Sequence, residues 1–129
     1  MSEELDTDTI VDRIVEEDPR YPRQAYGFMM EALKHTTGKL PVRRHVTGQE
    51  LSLSIREYAI RQFGISTRFI LSQWGITRTR DFGEIVFNLV RAGLMRKTEE
   101  DSIDDFDDMY DFETEFDRNF VITVDKTVC

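Results

Sequence analysis

Phe69-Ile70-Leu71-Ser72-Gln73-Trp74-Gly75-Ile76, followed by TRTRDFGEIVFNLVRAGL over Thr77 to Leu94, is the stretch on which the fold turns. Phe82, Ile85, Val86, Leu89 and Val90 recur at helical spacing and stop at Gly93, so a strongly amphipathic helix is expected there. Upstream, Thr67 to Trp74 reads as a shorter helix closed by Gly75. With Trp74-Gly75-Ile76 as the turn, the pair has the cadence of a helix-turn-helix. Gly93-Leu94-Met95 would then lead into a wing strand.

Working outward, Thr47-Gly48-Gln49-Glu50 fits a capping box, in which the threonine hydroxyl serves one orphan amide and the glutamate reaches back to another. The helix it opens carries Leu51, Ile55, Tyr58, Ala59 and Gln62 on one face and ends at Gly64. Leu40 to Val46 looks extended and is expected to be a short strand. Before it, a helix is expected from near Pro22 to about His35, with Ala25, Phe28, Met29 and Ala32 in register and Gly38 as its stop. Thr9 to Glu17 reads as a first short helix with Ile10, Val11, Ile14 and Val15 together, broken by Asp18-Pro19-Arg20-Tyr21-Pro22. Thr98 is expected to cap one further acidic turn or two. Asn119 to Val124, rich in β-branched residues, is the best strand pattern in the chain. The expected fold is therefore mostly α, of α+β type: a compact helical domain with a small antiparallel sheet, for which a winged-helix-like arrangement would use Leu40–His45, Leu94–Lys97 and Asn119–Val124.

With 129 residues the chain fits one globular unit, and its 40% apolar and 33% charged residues suit a folded core with charged appendages. The charge is unevenly placed. Residues 1–18, expected to form an acidic N-terminal helix, hold one arginine against eight acids. Residues 19–97, the helical core, hold fourteen Lys or Arg against five acids, a net +9. Residues 98–129, an acidic tail with the C-terminal strand, hold two basic residues against twelve acids. Arg20, Arg23, Arg43, Arg44, Arg56, Arg78 and Arg80 are the candidate anion contacts of the basic middle. Two readings stand side by side. Acidic ends can simply solubilise and neutralise a basic core, or an acidic segment can cover a basic face until a polyanion displaces it.

Arg78 and Arg80 open the supposed recognition helix and suit phosphate or base-edge contacts. Asp81 and Glu84 sit at the same front, where a phosphate field opposes them. The roughly twenty residues between the two candidate wing strands are strongly acidic, and the hydrophobic positions after Gly75 fall one residue late for the motif. These features weigh against sequence-specific DNA recognition.

Residues 104–120, DDFDDMYDFETEFDRNF, interleave carboxylates with rings, often four residues apart. Phe106, Tyr110 and Phe112 are the candidate anchors. They either staple the tail onto its own core or offer it to a basic apolar groove, here or on a partner. Calcium binding fails on spacing and on the missing loop glycine. His35 and His45 are the only histidines and neither has a partner at metal-ligand spacing. Phosphate-cradling glycine loops, nucleophile elbows and zincin motifs are absent. No catalytic residue, metal or cofactor is expected. Cys129 is the sole cysteine, no apolar run approaches a membrane span, and the acidic first residues lack the features of a signal peptide, so a cytoplasmic setting is expected.

From Asp18 to Phe116 the chain resembles a small uncharacterised bacterial family, a domain of unknown function found chiefly in planctomycetes and verrucomicrobia. The residues carrying the resemblance are Asp18-Pro19-Arg20-Tyr21-Pro22 with Ala25-Tyr26, Arg44 to Leu51, Ile55 to Ala59, Gln62-Phe63-Gly64, Trp74-Gly75-Ile76, Asp81 to Val90, Lys97-Thr98 and Tyr110-Asp111-Phe112. The resemblance implies no activity and transfers no site residue. The sequence thus points to a non-enzymatic protein-interaction module with an unknown protein partner, no membrane and no evident small-molecule substrate. The alternative is a domain binding RNA, DNA or the ribosome, gated by its acidic tail.

Overall fold

A computed structural model describes residues 6–42 and 44–118, the side chain of residue 118 excepted. Five α-helices surround one core: α1 (Thr7–Glu17), α2 (Arg23–Gly38), α3 (Gly48–Phe63), α4 (Thr67–Gln73) and α5 (Thr79–Arg91). A 3-10 turn (Gly64–Ser66) leads into α4, a second (Ile103–Phe106) follows α5, and a π-helical turn begins at Glu113.

The helix limits follow local chemistry. Asp6 accepts the Thr9 amide at 2.8 Å and starts α1 at Thr7, two residues before the start expected from the sequence. Thr47 and Glu50 exchange reciprocal bonds of 3.1 Å and start α3. Val46 and Leu51, immediately before the cap and four residues after it, take the positions of a hydrophobic staple. Both α4 and α5 end in a Schellman motif. Gly75 (φ +78°) lets the Gly75 and Ile76 amides reach Ser72 and Leu71, and Gly93 (φ +84°) does the same for Val90 and Leu89. Gly75 is needed twice over, since a Cβ there would meet the Arg20 carbonyl at 2.7 Å.

The long helix read from Phe82 to Val90 is the centre of the molecule. Phe82, Ile85 and Leu89 of α5 are fully buried, and the helix packs on α1, α2, α3 and the Ile103–Phe106 turn. Helix α2 contributes Ala25, Tyr26, Met29 and Ala32 to the same core and runs to Gly38, the expected stop, with the Thr36 hydroxyl bonded to the Ala32 carbonyl and to Ser54. Four rings, Phe28, Tyr58, Phe63 and Trp74, pack together where α2, α3 and α4 meet, with centroids 5.5 to 5.7 Å apart.

The expected antiparallel sheet is not there. Among the described residues there is no strand, so neither Leu40–His45 nor Leu94–Lys97 belongs to a ladder, and the winged-helix arrangement falls with them. The physical reason lies in what occupies the space. The Leu94 and Met95 amides are already committed to the Leu89 carbonyl at the end of α5. The acidic tail, not a wing, then crosses the gap, and its Phe106 ring enters between α3 and α5. The third expected strand, Asn119–Val124, lies outside the described residues.

Candidate functional site

Of the seven candidate arginines, five are held in ion pairs with carboxylates of the described residues. Arg20 is held by Asp18 at 2.7 Å and Glu84 at 3.3 Å. Arg23 meets Asp8 and Asp12 of α1 at 3.1 and 3.4 Å. Arg44 grips Glu50 at 2.6 Å, and Arg56 reaches Glu115 at 3.4 Å while lying over the Tyr110 ring. Arg80 is clamped by Asp104 at 3.0 Å and Asp107 at 2.8 Å. Arg78 is exposed and has no ion pair among the described residues. Arg43 lies outside them. The acids thus meet the basic middle pair by pair, Arg23 through the N-terminal segment and Arg56 and Arg80 through the tail.

Asp81 and Glu84 also take roles the helix-turn-helix reading did not foresee. The Asp81 carboxylate accepts the Thr77 amide at 2.9 Å, the Arg78 amide at 3.2 Å and the buried Tyr21 hydroxyl at 2.6 Å, capping α5 from within the core. Burial, then the Asp81 carboxylate, push the Tyr21 phenol well above its ordinary pKa, which keeps it a donor. At the front of α5, Asp81 thus turns inward to Tyr21 and Arg80 is held by Asp104 and Asp107, while Arg78 stays exposed.

The tail anchors are all engaged in cis. Phe106 and Phe112 are buried, and Tyr110 donates its hydroxyl to the Ser52 carbonyl at 2.8 Å. Phe116, a tail ring not counted among the three candidate anchors, is fully buried with its ring 5.0 Å from Phe112 and 5.9 Å from Tyr110. The four-residue step from Phe112 to Phe116 was its signal. Sequence reasoning missed Arg68, paired to Asp117 at 2.6 Å.

A cleft of about 300 Å³ remains, bounded by α2, α3, α5 and the segments before α3 and after α5. Its walls are apolar: Leu33, Val46, Phe87 and Leu94 are half-buried, above a floor that includes Leu51 and Met95. Arg44, His45, Arg96 and Lys97 bring polar groups to the lining. His45 Nε2 lies 2.6 Å from Asp101, tying the segment before α3 to the turn after α5. Asp101 also accepts the Thr98 amide at 2.8 Å. Burial works to raise the Asp101 pKa, but the Thr98 amide and His45 outweigh it and hold the carboxyl below its ordinary value. Asp105, also on the lining, accepts the Ser102 amide at 3.0 Å.

Arg96 and Lys97 are both exposed. Arg96 has no ion pair among the described residues, and the Lys97 ammonium reaches only the Thr98 carbonyl. These two cations, unmarked in the sequence reading, are the charge the tail leaves uncovered at the cleft. Two buried polar atoms, His35 Nε2 and Ser52 Oγ, have no hydrogen-bond partner among the described residues, and neither residue lines the cleft. No group of three or more His, Cys, Asp or Glu among the described residues could hold a metal ion. No described helix is long and apolar enough to cross a membrane.

No protein family, curated protein or solved structure matches the chain significantly.

Proposed function

We propose that the chain is a non-enzymatic interaction module that receives part of a partner protein in the cleft between α2, α3 and α5. One observation carries this reading: half-buried Leu33, Val46, Phe87 and Leu94 border about 300 Å³ of open space beside Arg96 and Lys97, neither of which has a carboxylate partner among the described residues. Elsewhere Arg20, Arg23, Arg44, Arg56, Arg68 and Arg80 are neutralised within the molecule. Apolar surface with a charged lip is what a partner's anchoring side chains need. A cytosolic setting belongs to the same proposal and rests on the chain's single cysteine.

The test is comparative affinity capture from native lysate, using the wild-type chain, Leu94→Glu and the exposed double variant Arg96→Glu/Lys97→Glu, with folding of each checked by circular dichroism. Proteins recovered by the wild type and lost with both folded variants support the reading. Identical recoveries remove the cleft from it.

The tail-gated nucleic-acid alternative draws less support. Freeing Arg56 and Arg80 for a polyanion requires lifting a tail whose Phe106, Phe112 and Phe116 rings are buried. At roughly 1.5–3 kcal/mol per ring, exposing three costs roughly 5–9 kcal/mol, comparable with the whole stability of many domains, about 5–15 kcal/mol. Such a tail acts as part of the fold. The resemblance of residues 18–116 to a small bacterial family is likewise a proposal and adds nothing about the cleft.

A further inference from the structure

We infer that the occupant of the cleft is an extended peptide segment that combines apolar side chains with at least one carboxylate, an inference that rests on the reading just given. Three features lead to it.

The first is the shape of the space. About 300 Å³ accepts a pair of large apolar side chains. A helical ligand, roughly 10 Å across, presents anchors over several turns and needs a longer trough.

The second is the main chain of the walls. Residues 44–47 on one side and 96–98 on the other are neither helical nor strand. The amides of His45, Val46, Arg96 and Lys97 donate to no acceptor among the described residues. Thr47, at the end of the first wall, has extended dihedrals (φ −77°, ψ 163°). Unpaired, non-helical backbone beside an apolar cleft is suited to main-chain hydrogen bonds with a second extended chain, whose alternate side chains then point into the cleft and away from it.

The third is charge. Both acids on the lining are hydrogen-bonded within the fold, Asp101 to His45 and the Thr98 amide, Asp105 to the Ser102 amide. Arg44 is answered by Glu50. Arg96 and Lys97 are the lining charges with no carboxylate partner among the described residues, and Glu99 and Glu100, though next in the chain, do not line the cleft. Two cations without a carboxylate partner at the mouth suit a partner segment that brings one.

The experiment is selection of a phage-displayed library of random dodecapeptides on the immobilised full-length chain, followed by titration of the synthesised winners into ¹⁵N-labelled protein. The expected winners alternate apolar and other residues, carry Asp or Glu, and shift the amides of residues 44–47 and 94–97. Arg96→Glu/Lys97→Glu, which breaks no carboxylate pair seen in the fold, should weaken them about tenfold, the sum of two rim ion pairs. Winners with helical spacing, winners without acids, no enrichment over blank resin, or affinity for the double variant within twofold of wild type would each overturn the inference. So would saturation of the same amides by dodecanoate with no peptide effect, since the cleft would then serve a small amphiphile. Helical winners, combined with loss of lysate partners in both cleft variants, would sink the extended form while leaving the interaction module standing.

Discussion

Phe106 occupies the room that Gly83 leaves on α5: a Cβ at Gly83 would lie 2.9 Å from Phe106 Cδ1 and 3.1 Å from Ile103 Cγ1. Gly48 at the start of α3 makes the matching gap on the other side, where a Cβ would lie 2.8 Å from Phe106 Cε1. Two glycines 35 positions apart in the chain thus form one slot, and the tail supplies the ring that fills it.

Gly83→Ala should therefore destabilise the protein despite the better helix propensity of alanine. The propensity gain of about 1 kcal/mol is outweighed by overpacking against a buried ring, about 1–3 kcal/mol. Gly27→Ala, in α2 with nothing within 4 Å of its would-be Cβ, should stabilise by about 0.5–1 kcal/mol. Urea denaturation of the two variants beside wild type reads both signs, and a more stable Gly83→Ala would refute the slot.

The tail itself should be required for folding. Phe106→Ala or Phe116→Ala each removes a buried ring and should cost about 3–5 kcal/mol. A chain ending at Lys97 should lose cooperative thermal unfolding altogether. If that shortened chain melts as sharply as the full one, the tail is an appendage after all.

The Tyr21–Asp81 bond links the loop after α1 to the start of α5 across 2.6 Å, in the core. Tyr21→Phe should cost about 1–2 kcal/mol, because one acceptor of a charged group is left short of a donor. Asp81→Ala should cost more, about 3 kcal/mol, since it strands the buried Tyr21 hydroxyl and also two amides at the front of α5. Equal losses in chemical denaturation would show that the capping bonds contribute nothing.

Acid stability should report Asp18. Its carboxylate takes two bonds from the Arg20 side chain and one from Asn88, and Tyr26 accepts a second bond from the same Asn88 amide. The Arg20 guanidinium holds Asp18 well below the usual carboxylate range, against the pull of burial and with help from Asn88. A depressed carboxylate contributes its full stabilisation above its ordinary pKa of about 4 and loses it as pH falls further. Asp18→Asn should thus melt below wild type at pH 7, by the equivalent of about 1–2 kcal/mol, and the gap should begin to narrow as pH falls below about 4 and go on narrowing to the lowest pH at which the fold survives. A gap constant with pH would mean that the ionised form has no special role.

The sequence by itself determined where most of the helices begin and end, to within two or three residues. The Thr47–Glu50 box, the glycine stops at 75 and 93 and the apolar register of α5 were all readable, because each depends on partners within about four residues. It also displayed the opposed charges and the ring spacing of the tail. Only the tertiary structure decided what those features do. Arg80 finds Asp104, 24 residues away, Phe106 finds the Gly48–Gly83 slot, and Leu94–Lys97 forgoes a strand to become a cleft wall beside residues 44–47. Pairings of that kind are settled by competition among distant groups for the same space and the same donors, and a local pattern of residue types does not record which competitor wins.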